Sequence, residues 1–143
     1  MTNECELPQT NATTDEIRAL LKSAKTIAVV GLSDKPHRPS HGVAAYLQAN
    51  GYRIVPVNPA VTEVLGERSY RALKDVPVAI DIVDIFRRSE AVPEIVADAI
   101  TMKAKAIWMQ EGIVHNVAAD QARAAGLGVV MNKCILKEHR RLS

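Results

Sequence analysis

Five short aliphatic runs punctuate this chain, and the stretches between them carry helical patterns. The runs are TIAVVGL (26–32), YRIVPVN (52–58), VAIDIVDIF (78–86), AIWMQ (106–110) and GVVM (128–131). Each is rich in Val and Ile and close to continuous in apolar character, as expected of strands buried on both faces of a parallel sheet. Between them, Val43, Ala44 and Leu47 fall on one helical face, as do Val92, Ile95, Val96, Ala99 and Ile100. A third helical stretch runs from about Asn116 to Ala125 and meets Gly126, a good left-handed stop. Strands alternating with helices imply right-handed βαβ units. The expected fold is α/β: a doubly wound, mainly parallel five-stranded sheet in the order 3-2-1-4-5, with helices on both faces. Its topological switch then falls between the first and fourth strands. Pro56 is awkward for a central strand, because it donates no ladder bond, and it is placed where pairing is already ending. Residues 61–76 are the least regular part, with helical turns expected at 62–65 and 70–73.

Length and composition bound the rest. A chain of 143 residues suggests one domain, assigned here to residues 13–143, and is long enough to bury about 70% of the surface its unfolded form exposes. Residues 1–12 are polar, contain Pro8 and read as a flexible tail. Thr13 and Glu16 have capping-box spacing, and Ile17, Leu20, Leu21 and Ala24 follow on one face. The closing KCILKEHRRL suggests a short last helix. A net charge of +2 gives no reason to expect nucleic acid or an acidic membrane as partner. Cys5 and Cys134 supply neither a disulfide framework nor metal spacing, and His37, His41, His115 and His139 have no ligand pattern. No leader pattern or apolar run of spanning length occurs, so the cytoplasm is the expected compartment.

In a sheet of this class, ligands bind at the carboxyl ends of the strands near the switch. That rule selects 31–40, Val57-Asn58-Pro59, 84–88 and Gln110-Glu111-Gly112. Gly31 permits a tight turn and a close backbone approach. Ser33 and Ser40 offer hydroxyls, and Ser40 is also a candidate cap for the helix that follows. Lys35, His37, Arg38 and His41 concentrate positive charge, with Arg38 able to grip a phosphate through two hydrogen bonds. An exposed loop facing only water is the plain alternative. G-x-G-x-x-G is absent, and the second strand ends without an acid for a ribose diol, both of which count against NAD. Val57, Pro59, Ile85 and Phe86 offer an apolar slot for an adenine face, or else belong to the core. Arg87 and Arg88 could meet a further phosphate. Asp81 reads as structural; Asp84 is open. No nucleophile and base are signalled together. Cys134 follows the fifth strand, where a thiol with a lowered pKa could act as a redox sensor.

The stretch from about Thr26 to Leu142 resembles the small stand-alone CoA-binding-domain proteins of bacteria and, more distantly, the N-terminal CoA-binding domain of the succinyl-CoA synthetase alpha subunit. The motifs that carry this are VVGLSDKPHRPSHGV, YRIVPVNP, ALKDVPVAIDIVDIFR, AIWMQEGI and GLGVVMNKC. The resemblance implies a Rossmann-like fold and coenzyme A or an acyl-CoA as ligand. It puts the phosphates on Gly31, Ser33, Arg38 and Ser40, adenine and ribose near Val57, Asn58, Pro59, Val83 and Phe86 with Arg87 close by, and the pantetheine side against Gln110-Glu111-Gly112. The synthetase's glycine-rich loop is tighter than GLSDKPHRPSHG, and its domain bearing a phosphorylated histidine has no counterpart here, so the ligase chemistry does not transfer. The expectation is a binding module, with a homodimer or a protein partner left open. The alternatives are an NADP-type reductase or a partial acyl-CoA ligase needing a partner chain.

Overall fold

The computed structural model describes residues 6–143. The elements run α1 (Thr14–Ser23), β1 (Thr26–Val30), α2 (Pro39–Ala49), β2 (Arg53–Val57), β3 (Glu63–Val64), β4 (Glu67–Arg68), β5 (Ile82–Ile85), α3 (Val92–Thr101), β6 (Ala106–Met109), α4 (Asn116–Ala124), β7 (Gly128–Val130) and α5 (Ile135–Leu142). The main sheet has the order β2-β1-β5-β6-β7, and all its pairings are parallel. This confirms the doubly wound α/β class, a Rossmann-like sheet, and corrects the expected strand order. The third long run does not lie outside the second; it inserts beside β1, so that β1 pairs with β2 on one side and β5 on the other.

Pro56 supplies the physical reason. A strand between two neighbours must donate on both sides, and a proline cannot. As an edge strand, β2 pairs on one side with β1, Pro56 lying opposite Val29. On its outer side the carbonyl of Pro56 accepts from the amide of Tyr70 at 3.0 Å, and Asn58 donates its amide to the Tyr70 carbonyl at 2.8 Å. That bridge closes one sheet edge. In place of the helical turn expected at 62–65, β3 and β4 form a short antiparallel hairpin around Leu65 and Gly66, both at positive φ.

The other edge is closed by a segment expected to be free. The side-chain amide of Asn11 donates to the Met131 carbonyl and its oxygen accepts from the Met131 amide, both at 2.9 Å. Asn11 thus imitates a neighbouring strand at the end of β7, which guards against edge pairing. Glu6 accepts from the Asn116 amide at 3.1 Å, and Arg123 donates to the Thr10 carbonyl at 2.9 Å. Residues 6–12 are therefore strapped to the domain; residues 1–5 of the expected tail lie outside the described residues.

The capping box forms as expected: Thr13 accepts from the Glu16 amide at 3.1 Å and Glu16 from the Thr13 amide at 2.8 Å. The core is aliphatic and split by the sheet. One layer packs Val30, Val57, Val83, Ile85 and Met109 against α3 and α4, and the other packs Ile27, Val29, Ile82 and Trp108 against α1, α2 and α5. Among the described residues no helix is long and apolar enough to cross a membrane.

Candidate functional site

The crossover reverses direction between β1 and β5, so the switch point lies between those strands. Four segments emerge along one sheet edge in the order Asn58, Gly31, Phe86, Gln110, following β2, β1, β5 and β6 respectively. Gly31 has φ +89° and donates its amide to the Val57 carbonyl at 2.8 Å. A Cβ at this position would lie 2.6 Å from the Phe86 carbonyl oxygen and 3.1 Å from Cδ of Arg87. Only glycine allows this turn, because it removes both the side chain and the penalty for a left-handed backbone. The ends of β1 and β5 touch here, and the stem of Arg87 lies against the Gly31 turn.

The loop beyond Gly31 is held by its serines. The Ser33 amide donates to Ser40 Oγ at 3.0 Å, and the Lys35 amide to Ser33 Oγ at 3.1 Å. Ser40 does not cap α2: it is buried in the first turn, and Arg38 occupies the cap position with Pro39 following. Proline at the first helical position requires no donor, and this displaces the expected cap by two residues. Lys35, His37 and Arg38 stand exposed. The first turn of α2 holds no acid, whereas that of α1 holds Asp15 and Glu16. The positive end of α2 is thus not offset by an acid in its own first turn.

Asn58 serves the frame. Its amide nitrogen donates to the Leu32 carbonyl at 3.0 Å, tying the end of β2 to the basic loop, and its oxygen accepts from the Ala60 amide at 2.9 Å. Beside it opens a cavity of about 170 Å³, lined by Val30, Val57, Pro59, Leu73, Ala91 and Ile95 with Arg71, Arg87, Glu94 and Asp98 among its charged groups. Val57, Pro59 and Arg87 thus come together. Val83 and Phe86 do not join them: Val83 is fully enclosed in the core layer of α3 and α4, while Phe86 packs with the opposite layer. Strand alternation sends them to opposite faces, so a single adenine slot cannot use both.

The Gln110-Glu111-Gly112 turn lies beyond β5 from the basic loop and is stapled to the start of α5. Gln110, buried, accepts from the Ile135 amide at 3.1 Å; Glu111 pairs with Lys137 at 3.2 Å; the Gly112 amide donates to Asn132 at 2.7 Å. Cys134 is half-buried at the cap position of α5 and its side chain makes no capping bond there. His115 caps α4, accepting from the Ala118 amide at 3.1 Å, and His139 meets the Tyr46 hydroxyl at 2.7 Å. Among the described residues no cluster of His, Cys, Asp or Glu is arranged to hold a metal.

Behind the switch point, Asp84 is fully buried in β5, between Val29 and Trp108 in register, and neither carboxyl oxygen has a hydrogen-bond partner. Burial pushes its pKa well above the usual carboxylate range. Sequence reasoning missed Arg71, Glu94 and Asp98. Arg71 reaches the site only through the Val57–Tyr70 bridge, a long-range pairing that leaves no local signal.

Residues 25–140 match the family model described as a CoA binding domain. The Bacillus subtilis (strain 168) protein YneT is 41% identical over 90% of this chain and 96% of its own length. A solved structure of a hypothetical protein from Pyrococcus horikoshii OT3 superposes with a TM-score of 0.90 at 40% identity, covering 95% of this chain and 96% of that one. A 76-residue stretch is 32% identical to an ADP-forming acetate–CoA ligase of Archaeoglobus fulgidus, spanning 52% of this chain but 11% of the ligase.

Proposed function

The chain belongs to the CoA-binding-domain family, and from that premise we propose that it binds coenzyme A or a short acyl-CoA along the carboxyl edge of its sheet, as a binding module without catalysis of its own. The observation that carries this reading is the Gly31 turn. A backbone stripped of its side chain against the end of β5 opens directly into a basic, acid-free helix start. Pyrophosphate would lie on that turn, with Ser33, Lys35, Arg38 and the buried Ser40 shaping the loop around it. The cavity beside Val57 and Pro59 takes the adenine, with Arg87 spanning the two regions. Pantetheine would then leave past Phe86 toward Gln110-Glu111-Gly112. The ligase similarity favours one second reading, a CoA-holding component that acts with a partner chain.

A thermal-shift panel tests this. A ligand that binds the folded state stabilises it by about 2.7 kcal/mol at a hundred times its dissociation constant. Tm is expected to rise with CoA and to stay unchanged with NAD. Replacing Arg38 with Ala removes a charge-assisted contact and weakens CoA binding by about 1.5 kcal/mol or more. A shift with NADP but not with CoA overturns the assignment, and unchanged CoA affinity in Arg38→Ala removes that residue from the site.

A further inference from the structure

We infer that Arg71 reads a phosphate on the ribose of the bound nucleotide and so sets the preference for CoA over dephospho-CoA; this rests on the CoA reading above. In nucleotide-binding sheets of this class, the end of the second strand is where the adenosine ribose is recognised, by an acid for the free 2′-hydroxyl of NAD and by an arginine for the 2′-phosphate of NADP; CoA carries its phosphate on the adjacent 3′ oxygen of the same ribose. Here β2 ends in Val57-Asn58-Pro59, without an acid. The side chain of Asn58 is committed to Leu32 and Ala60. The place of the acid is taken from outside the sheet: Tyr70 is bonded to β2 through Pro56 and Asn58, and the next residue, Arg71, is thereby fixed at the cavity mouth.

The charges around this cavity are held apart. Arg71, Arg87, Glu94 and Asp98 all line it, yet among the described residues none forms an ion pair; those that exist lie elsewhere. Charges that share a cavity without neutralising one another leave a place for a polar ligand. Glu94 and Asp98 belong to α3 and disfavour a phosphate beside that helix. Arg87 has its stem against the Gly31 turn as well as in the cavity lining, which suits it to the pyrophosphate. Arg71 remains for the phosphate that distinguishes the two ligands, and guanidinium geometry suits a bidentate grip.

The test is calorimetric titration of the full chain and its Arg71→Gln variant with CoA, dephospho-CoA, NADP and NAD. The wild type is expected to prefer CoA over dephospho-CoA by about tenfold or more, a single charge-assisted contact, and Arg71→Gln to abolish that preference while keeping its dephospho-CoA affinity. Arg87→Gln is expected to weaken both ligands together. If Arg71→Gln loses both ligands equally, or neither, the inference fails while the CoA reading stands. A wild type that binds the two equally overturns the inference in the same way. Binding of neither overturns the CoA reading itself. An Arg71-dependent preference for NADP over NAD with no CoA binding overturns the CoA reading and, with it, the inference as stated.

Discussion

Two aspartates on one strand meet opposite fates. Asp81, at the entrance to β5, accepts from the amides of Lys25 and Thr26 at 2.8 and 3.0 Å and pairs with Lys105 at 3.4 Å. Partial burial works to raise its pKa, but the Thr26 and Lys25 amides and the Lys105 ammonium outweigh it, and the pKa falls below the usual range. Asp84 lies deeper in the same strand, fully buried with no partner, and burial drives its pKa up. The difference extends to the two ends of the sheet. At the amino end Asp81 ties the start of β1 to the start of β5 and reaches Lys105 just before β6. The carboxyl end leaves Lys35, Arg38, Arg71 and Arg87 without ion-pair partners among the described residues, around a turn that only glycine can make. One end is a frame; the other is where we propose the ligand binds.

Breaking the open end costs most where it touches the frame. Gly31→Val places a branched side chain at φ +89° against the Phe86 carbonyl; the expected loss is about 3 kcal/mol or more of stability, read by thermal or urea melts, together with CoA binding. A change within about 0.5 kcal/mol shows that the turn relaxes freely and is not the site's fixed point. Asp81→Ala unties two backbone amides and is expected to cost about 2 kcal/mol at neutral pH. Because the folded pKa of Asp81 is depressed, its contribution is present above the unfolded pKa and disappears as pH falls through the folded one. The gap between wild type and variant therefore closes in acid, and a gap independent of pH contradicts the assignment.

Asp84 has the opposite sign. At low pH both folded and unfolded chains hold its proton and nothing is lost. As pH rises through the ordinary carboxyl range, the unfolded chain releases the proton while the folded chain keeps it, so stability falls, by about 1.4 kcal/mol per pH unit at most, until Asp84 itself ionises. Asp84→Asn should remove this slope and gain stability relative to the wild type as pH rises. Parallel pH profiles for the two proteins sink the account of Asp84 as a protonated acid. The smallest effect belongs to Lys105→Ala: its ammonium is mostly exposed, and the expected loss is below about 0.5 kcal/mol.

Much of the frame is legible in the sequence because it is local. The aliphatic runs, the Thr13–Glu16 capping box and the Gly126 stop each declare themselves within a few residues. Strand order is not local. Its clue is Pro56, whose missing donor excludes a central position for β2, yet the residue that uses the freed edge is Tyr70, reached across the β3–β4 hairpin. The same bridge delivers Arg71 to the cavity. The basic loop is legible as a candidate because it follows Gly31; the role of Ser40 is not, since its hydroxyl serves Ser33 across the loop and leaves the helix end uncapped. Val83 and Phe86 are close in sequence, and the period of the strand separates them.

The central claim is that the carboxyl end, and not another hollow of the surface, holds the nucleotide. A second cavity of about 320 Å³ lies toward the amino end, lined by Asn11, Leu20, Lys105, Leu127 and Gly128 among others. Titrating isotope-labelled protein with CoA and following backbone amide resonances separates the two directly. The predicted shifts are confined to residues 31–40, 57–58, 71–73, 86–88 and 110–112. Shifts centred on Asn11, Lys105 and Gly128 would contradict the claim, as would a spectrum that CoA leaves unchanged.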